Sequence, residues 1–120
     1  MDAGAALYPS QTIASAMAAY LGTIRDSRSA NTAKAYIQAL QAFRLVLTER
    51  NLDSSAPASN LPEDGIAWFA DALKAYAPAT ERLYLSAAIG FYEYLSSEGL
   101  AEPDLPRPRQ LLKRRSRRPR

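Results

Sequence analysis

The sequence predicts an all-α fold: a four-helix bundle with a basic, Pro/Arg-rich C-terminal linker. Three observations carry that prediction. Apolar residues recur at three- and four-residue steps in four separate stretches, the period of a helix packed on one side. No stretch alternates with period two for long enough to make a strand. From residue 103 onward, proline and charge replace the periodicity. At 120 residues the chain makes one domain. It can bury roughly two-thirds of its unfolded surface, which is enough for one core. No internal repeat occurs at a solenoid period.

The first helix is expected over 11–25. Ser10 follows Pro9 as a candidate N-cap, and Ile13, Met17, Tyr20, Leu21 and Ile24 form one stripe. "RDSRS" then breaks the pattern. The second helix is expected over 32–49, capped by Asn31 or Ser29, with Tyr36, Ile37, Leu40, Phe43 and Leu47 on its buried face. "NLDSSAPASN", residues 51–60, is a loop of small, polar and turn residues. The third helix is expected to begin at Pro62, whose missing N–H has no intrahelical partner in any case. Glu63 and Asp64 suit the positive end of its dipole. Ile66, Phe69, Ala70 and Leu73 pack inward, Trp68 covers an edge, and Gly65 is a mild cost. Pro78 opens the fourth helix, with Leu85, Ala88, Tyr92 and Leu95 as its seam and Phe91 alongside. Gly99 supplies a left-handed stop, and Pro103 follows. The expected organisation is a flexible N-terminus (1–9), a helical domain (10–102) and a basic linker (103–120).

The formal charge of +3 hides an asymmetry. Eight basic residues lie from 107 onward with no acid among them: Arg107, Arg109, Lys113, Arg114, Arg115, Arg117, Arg118 and Arg120. The first 106 residues hold seven basic and all twelve acidic residues, a net of −5. A cationic arm on an acidic body points to an acidic partner, most commonly nucleic acid.

Composition removes several chemistries. There is no cysteine and no histidine, so disulfides, zinc sites and Ser-His or Cys-His pairs cannot be built from these residues. No acidic cluster has the spacing of a Mg²⁺ or Ca²⁺ site, and no Gly-rich phosphate loop is present. No cofactor is expected. Tyr20, Tyr36 and Tyr92 fall on apolar faces and are core or core-edge aromatics rather than nucleophiles. "MDAGAALYPS" carries Asp2 where a signal peptide is basic, and "IASAMAAYL" is too short to span a membrane. The expectation is a soluble, cytoplasmic protein without catalytic activity of its own.

Two stretches carry a recognition signal. In 29–52, Ser29, Thr32, Tyr36, Leu40 and Phe43 fit S-x-x-T-x-x-x-Y-x-x-x-L-x-x-F. In 77–100, Thr80, Leu85, Ser86, Ala87, Phe91, Tyr92, Tyr94, Leu95 and Gly99 fit T-x-x-x-x-L-S-A-x-x-x-F-Y-x-Y-L-x-x-x-G. With the Pro-bearing basic linker, the sequence over about residues 10–110 resembles the N-terminal core-binding, SAM-like domain of tyrosine recombinases, the phage integrase and Xer group.

The resemblance implies a DNA-binding domain that clamps duplex DNA together with a catalytic domain, in integration or recombination. That catalytic domain carries the nucleophilic tyrosine and is absent from these 120 residues, so this piece is expected to bind and not to cleave. The implied partners are double-stranded DNA and neighbouring protomers of a tetrameric synapse; no membrane is implied. By family position, Thr32, Lys34, Ala35, Gln38 and Gln41 lie on the DNA side of the second helix. Ser29, Asn31 and Thr32, with the N–H groups at the helix start, suit a phosphate, Lys34 neutralises one, and the glutamines can meet an adenine edge or the backbone. On the fourth helix Thr80, Arg82 and Ser86 are the expected contacts, because Leu83, Tyr84 and Ile89 stand where family members often carry basic residues. Arg107, Arg109, Lys113, Arg114 and Arg115 complete the expected set. The alternative is a helical protein-interaction module, meeting a partner through exposed Trp68, Tyr76, Tyr84 and Tyr94, with an arginine-rich tail that binds nucleic acid nonspecifically.

Overall fold

The computed structural model describes residues 11–99. They form four α-helices: α1 (Ile13–Ser27), α2 (Ala30–Glu49), α3 (Asp64–Ala72) and α4 (Pro78–Ser97). Single 3₁₀ turns close the long loop (Ala58–Asn60) and follow α3 (Leu73–Ala75). No strand occurs among the described residues.

The first helix starts two residues later than its spacing predicts, because its cap is different. The expected cap, Ser10, lies outside the described residues. Thr12 takes the role: its hydroxyl accepts from Ser15 N–H at 3.0 Å, and Ser15 Oγ accepts from Thr12 N–H at 3.2 Å. The next donors are met from far along the chain. Ile13 N–H donates to Ala56 O and Ala14 N–H to Ser54 O, both at 2.9 Å. The 51–60 stretch is therefore the lid of the α1 N-terminus as well as a connection. Arg44 steadies it by donating to Ser54 Oγ at 2.8 Å. Thr12→Ala should cost about 1 kcal/mol of stability, the usual value of an N-cap, measured as a lower urea midpoint. An unchanged midpoint would mean that the loop carbonyls hold the helix start alone.

The second helix begins earlier than expected, with Ser29 as its cap: Ser29 Oγ accepts from Thr32 N–H at 3.1 Å. Asn31 is thus a first-turn residue and not the cap. Ala33, Leu40, Phe43 and Leu47 are buried, and Tyr36 and Ile37 are half-buried. Asn51, at φ 65°, turns the chain out of α2.

The third helix starts at Asp64, not Pro62. Pro62 sits in the preceding turn, where its carbonyl accepts from Gly65 N–H at 3.1 Å and from the Tyr92 hydroxyl at 2.5 Å. Trp68 lies half-buried at the edge, under the Arg50 guanidinium, which is 4.7 Å from the ring centre.

The fourth helix is the centre of the bundle. Its expected seam is buried, and so are Glu81, Ala87, Ile89 and Phe91. The cause is contact on three sides. Tyr20 of α1 donates to Ala87 O at 3.1 Å, Phe43 of α2 packs against Tyr92 at 6.1 Å between ring centres, and Tyr92 reaches the turn before α3. Gly99, at φ 71°, ends the described chain after α4.

Gly65 departs from its expected role as a mild cost. It is buried, and a Cβ there would overlap the Tyr92 hydroxyl and lie 3.4 Å from Phe43 Cζ. The close approach of α3 to α4 depends on its missing side chain.

Candidate nucleic-acid interface

The directions of the helices define one end of the bundle. Tyr36 of α2 and Ser86 and Ile89 of α4 line one groove, and further along the same two helices Phe43 meets Tyr92. The helices therefore begin side by side. Between Tyr20 and Arg28, α1 runs the opposite way along α4, from Ala87 and Tyr94 back toward Ser86. Its last turn and the short link to Ser29 reach the same end. Three helices thus enclose a groove of about 350 Å³ lined by Tyr20, Ile24, Arg28, Tyr36, Ser86, Ile89, Gly90 and Glu93.

Charge sorts along this axis. Arg25, Arg28, Lys34 and Arg82 belong to the end where α1 stops and α2 and α4 start. The exposed Asp26 and the buried Glu81 accompany them, the Asp71–Lys74 pair lies at the close of α3 just before α4 starts, and Glu93 lines the groove itself. Glu81 is 2% exposed in the first turn of α4, where the helix dipole favours a carboxylate. Glu49, Asp53, Glu63, Asp64 and Glu98 belong to the far end: the close of α2, the loop, the start of α3 and the close of α4. Hydrogen bonds from Ser55, helped by nearby Arg44, hold the Asp53 carboxyl below the usual range. Lys74 pairs with Asp71 at 3.0 Å in the open, where such a pair adds little. Five of the nine acids among the described residues thus lie at the far end.

On α2, Asn31, Lys34, Gln38 and Gln41 are exposed, while Thr32 and Ala35 are half-buried. At about 100° per residue these do not make one flat face. Gln38 and Asn31 occupy the outer crest. Lys34 and Gln41 fall on the α1 flank, where Lys34 shares a shallow groove with Arg25 and Gln41 shares one with Met17, Leu21 and Arg44. Thr32 and Ala35 fall on the other flank. Ser29 and Thr32 are tied to each other, since Ser29 Oγ donates to Thr32 Oγ1 at 3.0 Å as well as capping its N–H. One of the backbone donors expected to face a phosphate is therefore already satisfied.

On α4, Arg82 and Ser86 lie one turn apart on one side, and Ser86 opens into the three-helix groove. Thr80, two residues before Arg82, points about 200° away and does not join them. Arg107, Arg109, Lys113, Arg114 and Arg115 lie outside the described residues. Arg25, Arg28 and Tyr36 were missed as members of this end. "RDSRS" held the signal: two arginines flanking so short a link to a helix cap must arrive beside the start of the next helix.

Burial pushes the Tyr20 hydroxyl well above its ordinary value, with Tyr36 adding and Arg28 opposing. Burial also raises Tyr92, reinforced by Asp64 and Glu63. Both remain protonated donors, Tyr20 to Ala87 O and Tyr92 to Pro62 O. Of the four aromatics expected at the surface, only Tyr76 is exposed. Tyr94 packs on Tyr20 at 5.6 Å, Tyr84 on Tyr76 at 5.8 Å, and Trp68 lies under Arg50. Three of the four are spent on the bundle itself. Among the described residues no group of three or more His, Cys, Asp or Glu is placed to hold a metal ion, and no helix is long and apolar enough to cross a membrane.

A one-ended bundle of four helices around a central last helix defines a small SAM-like all-α domain. The model of the phage integrase N-terminal SAM-like domain family matches residues 17–99, and the chain belongs to that family. It is therefore a domain of the tyrosine recombinase class, and the matched region is not the catalytic domain. A similar solved structure is the N-terminal domain of a phage integrase/site-specific recombinase from Haloarcula marismortui. The two are 20% identical and superpose with a TM-score of 0.69, over 83% of this chain and 95% of that one. A search of curated proteins gives no significant match.

Proposed function

We propose that this chain is the DNA-binding, core-binding domain of a site-specific tyrosine recombinase, laying the paired starts of α2 and α4 against duplex DNA. The observation that carries the reading is the gathering of Arg25, Arg28, Lys34 and Arg82 at that end, with Glu49, Asp53, Glu63, Asp64 and Glu98 at the other. Such a potential orients the domain before contact, so the basic end meets the phosphates first. Lys34, Arg28 and Arg82 would neutralise phosphates, and Asn31, Gln38, Gln41 and Ser86 would bond to the backbone or to base edges. The arm from 107 onward would add sequence-independent affinity. Strand cleavage would be the work of a separate catalytic domain, and neighbouring protomers on DNA would be the protein partners.

The test is anisotropy of a labelled duplex with the 120-residue chain over a salt series. Lys34→Ala and Arg28→Ala should each weaken binding and lower the salt slope by about 1. Gln41→Glu, on the α1 flank, should weaken it less than Gln38→Glu on the crest. If neither cation affects binding, while neutralising the arm abolishes it, the body is a scaffold and the proposal fails.

A further inference from the structure

Between α1 and α2, outside the three-helix groove, the surface carries a long trough. Three depressions of about 370, 160 and 290 Å³ follow one another along it. Ile37 lines the first and the second, and Gln41 and Arg44 line the second and the third, so the three are continuous. The trough runs beside α2 from Ala30 to Thr48, about 27 Å at the rise of an α-helix. Its walls are apolar. Leu21 and Ile37 are half-buried above the buried Met17 and Leu40, and Ala18 is exposed on the α1 side. On the α2 side stands Leu45, 67% exposed, the most exposed large apolar side chain among the described residues.

Charge along the trough has one sign. Arg25 and Lys34 line its first part and Arg44 the rest, and no described acid lines any of it. Arg44 keeps its charge while donating to Ser54 Oγ. Few occupants match an apolar trough with a cationic border. Phosphates gain nothing from leucine and isoleucine, so duplex DNA suits the border and not the walls. The arm from 107 onward has the same sign as the border. A second copy seated about a two-fold axis would set the same patch, with its three cations, against itself. A helix with apolar residues at i, i+3, i+4 and i+7 and carboxylates on its flanks satisfies both features. We infer that the α1–α2 trough docks an acidic amphipathic helix of a partner protein, about 18 residues long by the length of the trough. This goes beyond the DNA-binding reading and does not rest on it. Lys34 and Gln41 also belong to the proposed DNA contacts, whereas Ala18 and Leu45 do not, so the test is made on the latter pair.

The probe is a synthetic helical peptide of that length, with leucines at i, i+3, i+4 and i+7 and glutamates on both flanks. A scrambled peptide of equal composition keeps the charge that the arm attracts and loses the apolar stripe. In anisotropy titrations the 120-residue chain should bind the striped peptide about tenfold more tightly than the scramble, the worth of a leucine side chain removed from water. Leu45→Glu and Ala18→Glu should each abolish that preference, because each sets a carboxylate against the stripe. Leu45→Met should keep it. Both positions are exposed, so far-ultraviolet circular dichroism of the variants should match the wild type. The inference is overturned if the two peptides bind equally, if the glutamate variants keep the preference, or if the wild type self-associates and Leu45→Glu stops it. It is also overturned if removing residues 1–10 raises affinity for the striped peptide, since the chain's own N-terminal segment would then be the occupant.

Discussion

Affinity of the 120-residue chain for duplex DNA should fall about 10³-fold on a fourfold rise in salt, if five or six of the arm's cations meet phosphates. The arm carries eight basic residues and no acid from position 107 onward. Each phosphate neutralised releases condensed counterions, and the logarithmic salt slope grows by about 0.9 per contact. Replacing the eight by glutamine should remove most of that slope while leaving base preference intact, because phosphate contacts position without reading sequence. Anisotropy titrations at four salt concentrations measure both. A slope unchanged by the replacement would assign the electrostatic term to the four cations of the bundle end.

The second large effect is on stability, with a sign opposite to intuition. An exposed helical glycine replaced by alanine gains up to about 1 kcal/mol. Gly65→Ala should instead lose about 1–3 kcal/mol, the range of an overpacked core. The new methyl would overlap the Tyr92 hydroxyl, and Tyr92 is fully buried and cannot swing aside. Tyr92→Phe alone should cost about 1 kcal/mol, through the bond lost at Pro62 O. Joined, the two changes should cost less than their sum, since phenylalanine vacates the space that the methyl needs. Urea unfolding of the four chains gives the coupling directly. Additive losses would place the damage of Gly65→Ala elsewhere.

Much of the fold was legible in the residues. Four apolar stripes, Pro78 and Gly99 located the helices, because helix periodicity and cap chemistry are local. Boundaries moved where the deciding partner was distant or ambiguous. Thr12 replaced Ser10, Ser29 was selected over Asn31, and Pro62 was drawn into a turn by Tyr92, thirty residues away. The site was legible in part. Lys34, Gln38 and Gln41 are exposed as expected, and Ser86 and Arg82 share a side, yet Thr80 turns away and Arg28 enters from α1. A linear pattern names residues on one helix; it does not say which end of a neighbouring helix arrives beside them.

The sequence by itself therefore determined the class of the domain, its four helices, its charge asymmetry and the family motif, all encoded in spacing and composition. The tertiary structure decided what depends on helices meeting: the burial of α4 on three sides, the need for glycine at position 65, and the assembly of Arg25, Arg28, Lys34 and Arg82 at one end. These follow from the packing of rigid side chains across interfaces, and residue spacing along a single chain does not report which surfaces will touch.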